Sequence, residues 1–193
     1  LMSFKSFISL ISVCTLVLTG CGGSSSAPNL AVSDIAVNQL KYGQLSQFTL
    51  TGNFSDNEIN VSTKNCKGLA LVAGGTTTTK SVTCTIGAVG TGVVSLEAKL
   101  ADGTVLKSVS FDVPNPQVSM QTSLGAVVLE LNPTAAPLST DNFLQYVNSK
   151  FYDNTLIHRV VTAGIFVAQG GWLTPTPAVQ PGQKAAIALE VNK

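Results

Sequence analysis

Two side chains with chemical reach stand next to each other late in the chain. Arg159 is the only arginine and His158 the only histidine among 193 residues. A guanidinium is a permanent cation with planar N–H donors, suited to a lone pair held beside it. A histidine so placed more often supports its neighbours than moves protons, so acid–base work is not assigned to His158. Ten residues on, Gln169 brings an amide ahead of Gly170-Gly171, and Phe166 and Val167 bring apolar surface just before it. The carboxylates Asp56, Glu58, Glu97 and Asp102 are scattered through turns and strand faces, where a solvated charge is the simpler explanation.

Short elements must position these groups. Gln117–Thr122 and Ala126–Leu131 read as a hairpin, and Asn132-Pro-Thr-Ala-Ala-Pro137 connects it to a short helix that Ser139 or Thr140 can cap. Phe143, Leu144 and Val147 give that helix one apolar face. Residues 155–161 form a strand carrying His158-Arg159, and 166–169 form another that leaves through the glycine pair.

The order Asn142-Phe143, Phe151-Tyr152-Asp153, His158-Arg159-Val160, Gln169-Gly170-Gly171 resembles the front half of a cyclophilin-type peptidyl-prolyl isomerase. The resemblance covers residues 117–193 and implies catalysis of rotation about X-Pro amides. Resonance sets a barrier of roughly 18–20 kcal/mol to that rotation. A site that binds the twisted amide better than either planar isomer lowers it. In the family an arginine steadies the proline nitrogen of the twisted state, which makes Arg159 the catalytic candidate. By the same resemblance Phe166 and Val167 floor the proline slot, and Gln169 bonds the substrate backbone. The Arg159–Gln169 interval is longer than the family's. Phe166 and Val167 keep their places only if the added residues bulge out before Gly164. No metal or cofactor is implied, and the partners are proline-containing polypeptides.

The remainder is organised ahead of this site. Met2-Ser-Phe-Lys5, an apolar run over 7–18 and Leu18-Thr19-Gly20-Cys21 make residues 1–20 a signal peptide with a bacterial lipobox. Cys21 is then the lipidated first residue, 21–29 a tether, and the membrane is reached through that lipid anchor. Gly22 after the cysteine gives no inner-membrane retention signal, so the outer membrane facing the periplasm is expected. Residues 30–115 read as strands with alternating apolar faces: Phe48 and Leu50; Val82, Cys84 and Ile86; Val94 to Leu100; Val109 to Val113. Asp102-Gly103 suits a type I′ hairpin between the last two. This pattern resembles a bacterial immunoglobulin-like antiparallel sandwich. In an oxidising compartment the default for Cys66 and Cys84 is a disulfide, with a metal site or free buried thiols as alternatives. Pro114-Asn115-Pro116 is a stiff junction, and 116–193 follow as the partial cyclophilin-like domain.

The expected fold is therefore mainly β: an Ig-like sandwich, then the first half of a cyclophilin-like barrel with one short helix. A net charge of +1, with 11% charged residues, points to no nucleic acid. The expected function is isomerisation by an envelope lipoprotein that assists folding of exported proteins. The chain as given is expected to be part of a longer isomerase. The rival readings are a protein that grips proline segments without turning them over, and a structural surface lipoprotein.

Overall fold

A computed structural model describes residues 29–54 and 59–191. Cys21, its signal and tether, and the carboxylates Asp56 and Glu58 lie outside the described residues. Seven strands come first: β1 (Ala31–Val37), β2 (Leu45–Asn53), β3 (Asn60–Lys64), β4 (Cys66–Leu71), β5 (Thr79–Ile86), β6 (Gly90–Lys99) and β7 (Val105–Val113). They form two antiparallel sheets, ordered β1-β2-β5-β4 and β3-β6-β7. Successive side chains in a strand point to opposite faces. That alternation sends Phe48, Leu50, Val82, Cys84 and Ile86 from one sheet, and Val94, Leu96, Ala98 and Val113 from the other, into a single core. Each of these is at most 3% exposed. Val109 and Phe111 are half-buried beside it, with the Phe111 ring 5.4 Å from that of Phe48.

Cys66 and Cys84 form a disulfide that joins β4 to β5 within one sheet, with Cα atoms 5.6 Å apart. The β6–β7 connection differs from the type I′ expectation. Gly103 has φ +90°, but Asp102 is not in the left-handed region. The N–H of Gly103 donates to the Leu100 carbonyl, and the register slips between Ala98 and Lys99. This is the longer hairpin loop, in which one left-handed glycine makes a bulge. Asp102 instead accepts the Thr104 N–H at 2.8 Å, and that bond, the largest influence on it, holds its carboxyl below the usual range.

After Pro114-Asn115-Pro116 come β8 (Gln117–Thr122), β9 (Gly125–Glu130), α1 (Pro137–Asn148), β10 (Ile157–Val161) and β11 (Val167–Gly170). The elements follow the expected order, but they make two separate two-stranded ribbons, β8-β9 and β10-β11, not one curved half-barrel sheet. Residues 185–191 contribute no strand that could bridge them. Neither Ser139 nor Thr140 caps α1. The helix starts earlier, with Pro137 in its first turn and no side-chain bond from its N-cap Ala136. The free N–H groups of Leu138 and Ser139 instead donate to the two oxygens of Glu190, at 2.9 and 2.8 Å. A carboxylate is a good partner for a helix N-terminus, where the peptide dipoles leave positive charge. Although partial desolvation works the other way, these bonds keep the Glu190 carboxyl below its usual range.

The helix also has two working faces where one was expected. Phe143 and Tyr146 stack on Tyr152 and Phe151, with ring centroids 4.6–5.8 Å apart. Leu144 and Val147 line a groove facing the seven-strand portion.

Candidate functional site

β10 and β11 hold the residues that the sequence singled out. Their antiparallel register sets Arg159 opposite Gln169, Val160 opposite Ala168 and Val161 opposite Val167. Directly opposed residues share a face, as do residues two apart along a strand. Arg159, Gln169, Val161 and Val167 therefore make one face of the ribbon: two polar groups at one end, two partly buried valines at the other. The register slips between Ile157 and Arg159, so His158 is the additional residue of a β-bulge. Such a bulge raises the local twist and re-aims the side chain that follows it.

The interval between Arg159 and Gln169 folds as strand, loop over 162–166, then strand, and Gly164 takes φ +82° in the loop. Val167 begins β11, on the same ribbon face as Arg159. Phe166 stays in the loop, one step out of phase with Val167, and is 83% exposed. The guanidinium stands in solvent, with no ion pair or hydrogen bond among the described residues.

His158 turns inward. Its ring meets that of Trp172 edge-on at 6.2 Å, and its Nδ1 is buried with no hydrogen-bond partner among the described residues. Trp172 is half-exposed and follows Gly171, whose φ of +83° turns the chain away from β11. Gly171 also lies against Tyr152, leaving no room for a side chain. Burial, then proximity to Tyr146, raises the Tyr152 phenol above its ordinary range. Gln180 donates to the Phe151 carbonyl at 2.8 Å, and the Lys184 N–H donates to the Tyr146 hydroxyl at 2.7 Å. Phe143, Tyr146, Phe151 and Tyr152 thus anchor helix and ribbon to each other. Of these four aromatic residues the sequence marks only Phe143, with Leu144 and Val147, as core; the i, i+3 spacing of Phe143 and Tyr146 is the signal for Tyr146. Nothing in sequence pointed to Glu190, whose partners are about fifty positions away along the chain.

Among the described residues no group of three or more His, Cys, Asp or Glu could hold a metal ion. The ribbon can present one cation and one amide, side by side, to an extended backbone laid across them.

The class indicated by the sequence comparison is that of the motif order. Residues 117–192 match the family described as cyclophilin type peptidyl-prolyl cis-trans isomerase/CLD. Similar proteins include the peptidyl-prolyl cis-trans isomerase cyp18 of Streptomyces antibioticus, 50% identical over 58 residues, which are 30% of this chain and 34% of that one. A peptidyl-prolyl cis-trans isomerase of Acinetobacter baylyi is 44% identical over 57 residues, 30% of this chain and 29% of its own. Peptidyl-prolyl cis-trans isomerase B of Escherichia coli is 38% identical over 75 residues, 39% and 44% of the two chains. The chain spans about a third of the length of the first two. No solved structure matches it.

Proposed function

We propose that this chain belongs to a peptidyl-prolyl cis-trans isomerase of the cell envelope that assists folding of exported proteins. The observation that carries the reading is the Arg159–Gln169 pair, opposed in register on one ribbon face within the segment that matches the cyclophilin family. Gln169 and its neighbours would hold the substrate backbone. Arg159 would then face the proline nitrogen as that atom turns pyramidal, and its N–H donors would stabilise the emerging lone pair. Val167 supplies apolar floor; Phe166 completes the slot only by swinging in from its loop.

In this reading residues 1–20 are the signal peptide, 21–29 a tether lipidated at Cys21, 30–115 an immunoglobulin-like spacer, and 116–193 a partial cyclophilin-like domain. The strand orders β1-β2-β5-β4 and β3-β6-β7 support the spacer assignment, because a four-plus-three sandwich in this order is the immunoglobulin constant-type arrangement. The lipobox around Cys21 supports anchoring to the outer membrane on its periplasmic side, and radiolabelled palmitate uptake that survives Cys21→Ala would remove that anchor.

Exchange spectroscopy on an Ala-Pro peptide tests the activity. The 193-residue chain is expected to speed exchange less than about tenfold over an uncatalysed time of tens of seconds, and Arg159→Ala is expected to abolish that gain. Acceleration that persists in Arg159→Ala overturns the assignment. Arg159-dependent binding of the peptide with no acceleration supports a second reading, a protein that grips proline segments. The exposure of Phe166 favours it, since an open slot cannot keep water from the amide.

A further inference from the structure

Two Asn-X-Ser triplets stand in the seven-strand portion, Asn53-Phe54-Ser55 and Asn60-Val61-Ser62. In an exported chain such a triplet accepts N-linked sugar where the asparagine is presented on the surface. The fold separates the two. Asn53 ends β2, a strand paired on both sides, with β1 and with β5. Its carboxamide donates to the Asn29 carbonyl at 3.1 Å. Phe54 beside it is sunk in the core, and the Phe54 N–H donates to the Thr77 carbonyl at 2.8 Å. A transferase must lift the triplet off the surface, and here that would pull Phe54 out of the core.

Asn60 opens β3, which pairs with β6 alone among the described residues. Residues two apart on a strand share a face, so Asn60 and Ser62 point outward together while Val61 packs against the core. Both are exposed. Across the ladder they stand opposite Lys99 and Glu97, which form an ion pair at 2.7 Å. A sugar on this polar face displaces no apolar packing. The end of an edge strand also opens at lower cost than a central one. Glu58 precedes Asn60 by two positions, where Asn53 has Thr51; an acidic residue there is the added demand of bacterial oligosaccharyltransferases. We propose that Asn60 is an N-glycosylation site, taking an oligosaccharide from a lipid-pyrophosphate-linked donor. The Asn60 Nδ2 attacks the anomeric carbon of the first sugar. The carbon–oxygen bond to pyrophosphate breaks, its electron pair leaves with the lipid pyrophosphate, and one Nδ2 proton passes to a base of the transferase. A glycan there covers the free edge of β3 against pairing with another chain. The proposal rests on the export in the envelope reading, not on isomerase activity.

The test incubates the purified full chain with a bacterial oligosaccharyltransferase and a polyprenyl-pyrophosphate-linked oligosaccharide whose first sugar is N-acetylated. Intact mass is the readout. The chain is expected to gain the mass of one glycan. Asn60→Gln and Ser62→Ala should each abolish the gain, and Ser62→Thr should keep it. Unchanged amide exchange in β5 and β6 shows that these variants fold. The double variant Thr51→Glu, Asn60→Gln gives Asn53 the acidic neighbour it lacks. It should still be modified to less than about a tenth of the Asn60 level, because the fold withholds Asn53. Arg159→Ala should leave the gain intact, so failure here is distinct from failure of the isomerase reading. The assay also bypasses export, which separates it from failure of the envelope reading. No gain on the unaltered chain overturns the proposal. So does a gain that survives Asn60→Gln, or one that appears only after the disulfide is reduced, because the folded chain is then not the acceptor.

Discussion

Gly171 is required for two independent reasons. Its φ of +83° lies where a side chain crowds the backbone, and an added Cβ would come within 2.7 Å of the Tyr152 ring. Gly171→Ala is therefore expected to destabilise residues 117–191 by about 1–3 kcal/mol, read as faster amide exchange in β10 and β11. Ser46 is the opposite case, a residue whose replacement should help. It is fully buried on β2, and its hydroxyl has no hydrogen-bond partner among the described residues. An unsatisfied buried hydroxyl costs about 1–3 kcal/mol, so Ser46→Ala should raise the urea midpoint by the equivalent of about 1 kcal/mol. A lower midpoint would mean that the hydroxyl is satisfied in solution. Residues of these two kinds differ in what sequence reveals. Glycine after Gln169-Gly170 announces a sharp exit, but whether Ser46 is satisfied depends on atoms from other strands.

At the level of elements, strands whose faces alternate were legible, and those whose faces do not were not. β2, β5, β6 and β7 carry regular apolar positions, and each appears where the alternation predicts. β4 is half-buried at Cys66 and exposed from Lys67 to Leu71, so no period marks it, and hydrogen bonding to β5 alone defines it. Arg159 and Gln169 could be matched to a motif from the sequence; that they are cross-strand partners could not, because it depends on where the loop over 162–166 takes up the added residues. The start of α1 departs from the sequence expectation for a similar reason. Its capping group arrives from a distant segment, and no local rule sees that. The consequence is testable by acid titration. The Glu190 carboxyl sits below its ordinary value of 4.5, so its contribution is present above that pH and is lost as pH falls through the lower folded value. Exchange at Leu138 and Ser139 should accelerate over that range, and Glu190→Gln should remove most of the pH dependence. Unchanged acid sensitivity in the variant would assign the effect to other carboxyls.

Across the whole molecule, burial is unevenly divided. Among the described residues, the twelve of the buried core run from Val32 to Val113, whereas in 117–191 only Pro133 and Thr140 are buried and the other aliphatic and aromatic side chains are half-buried or exposed. Since apolar burial dominates stability, the two portions should open at different free energies. A contact between them is the Tyr42–Asp141 hydrogen bond. Burial, then the Asp141 carboxylate, pushes the Tyr42 phenol from 10.0 up to about 12. A raised value favours the neutral phenol in the folded state. The contact therefore contributes fully below pH 10 and is lost as pH rises toward about 12. Tyr42→Phe should abolish that alkaline step in the exchange of α1 while leaving β2, β5 and β6 protected. The disulfide acts on the other portion. Cys66 and Cys84 close a loop over a sequence separation of 18 inside the sheet that builds the core. Replacing both by alanine should cost β2, β5 and β6 about 3 kcal/mol of protection. The amides of α1, β10 and β11 should scarcely respond, because their opening does not require the sandwich core to open. Equal loss in both portions would show instead that the chain unfolds as one cooperative body, with the Tyr42–Asp141 contact and the proline junction coupling a half-buried isomerase-like portion to the core it lacks.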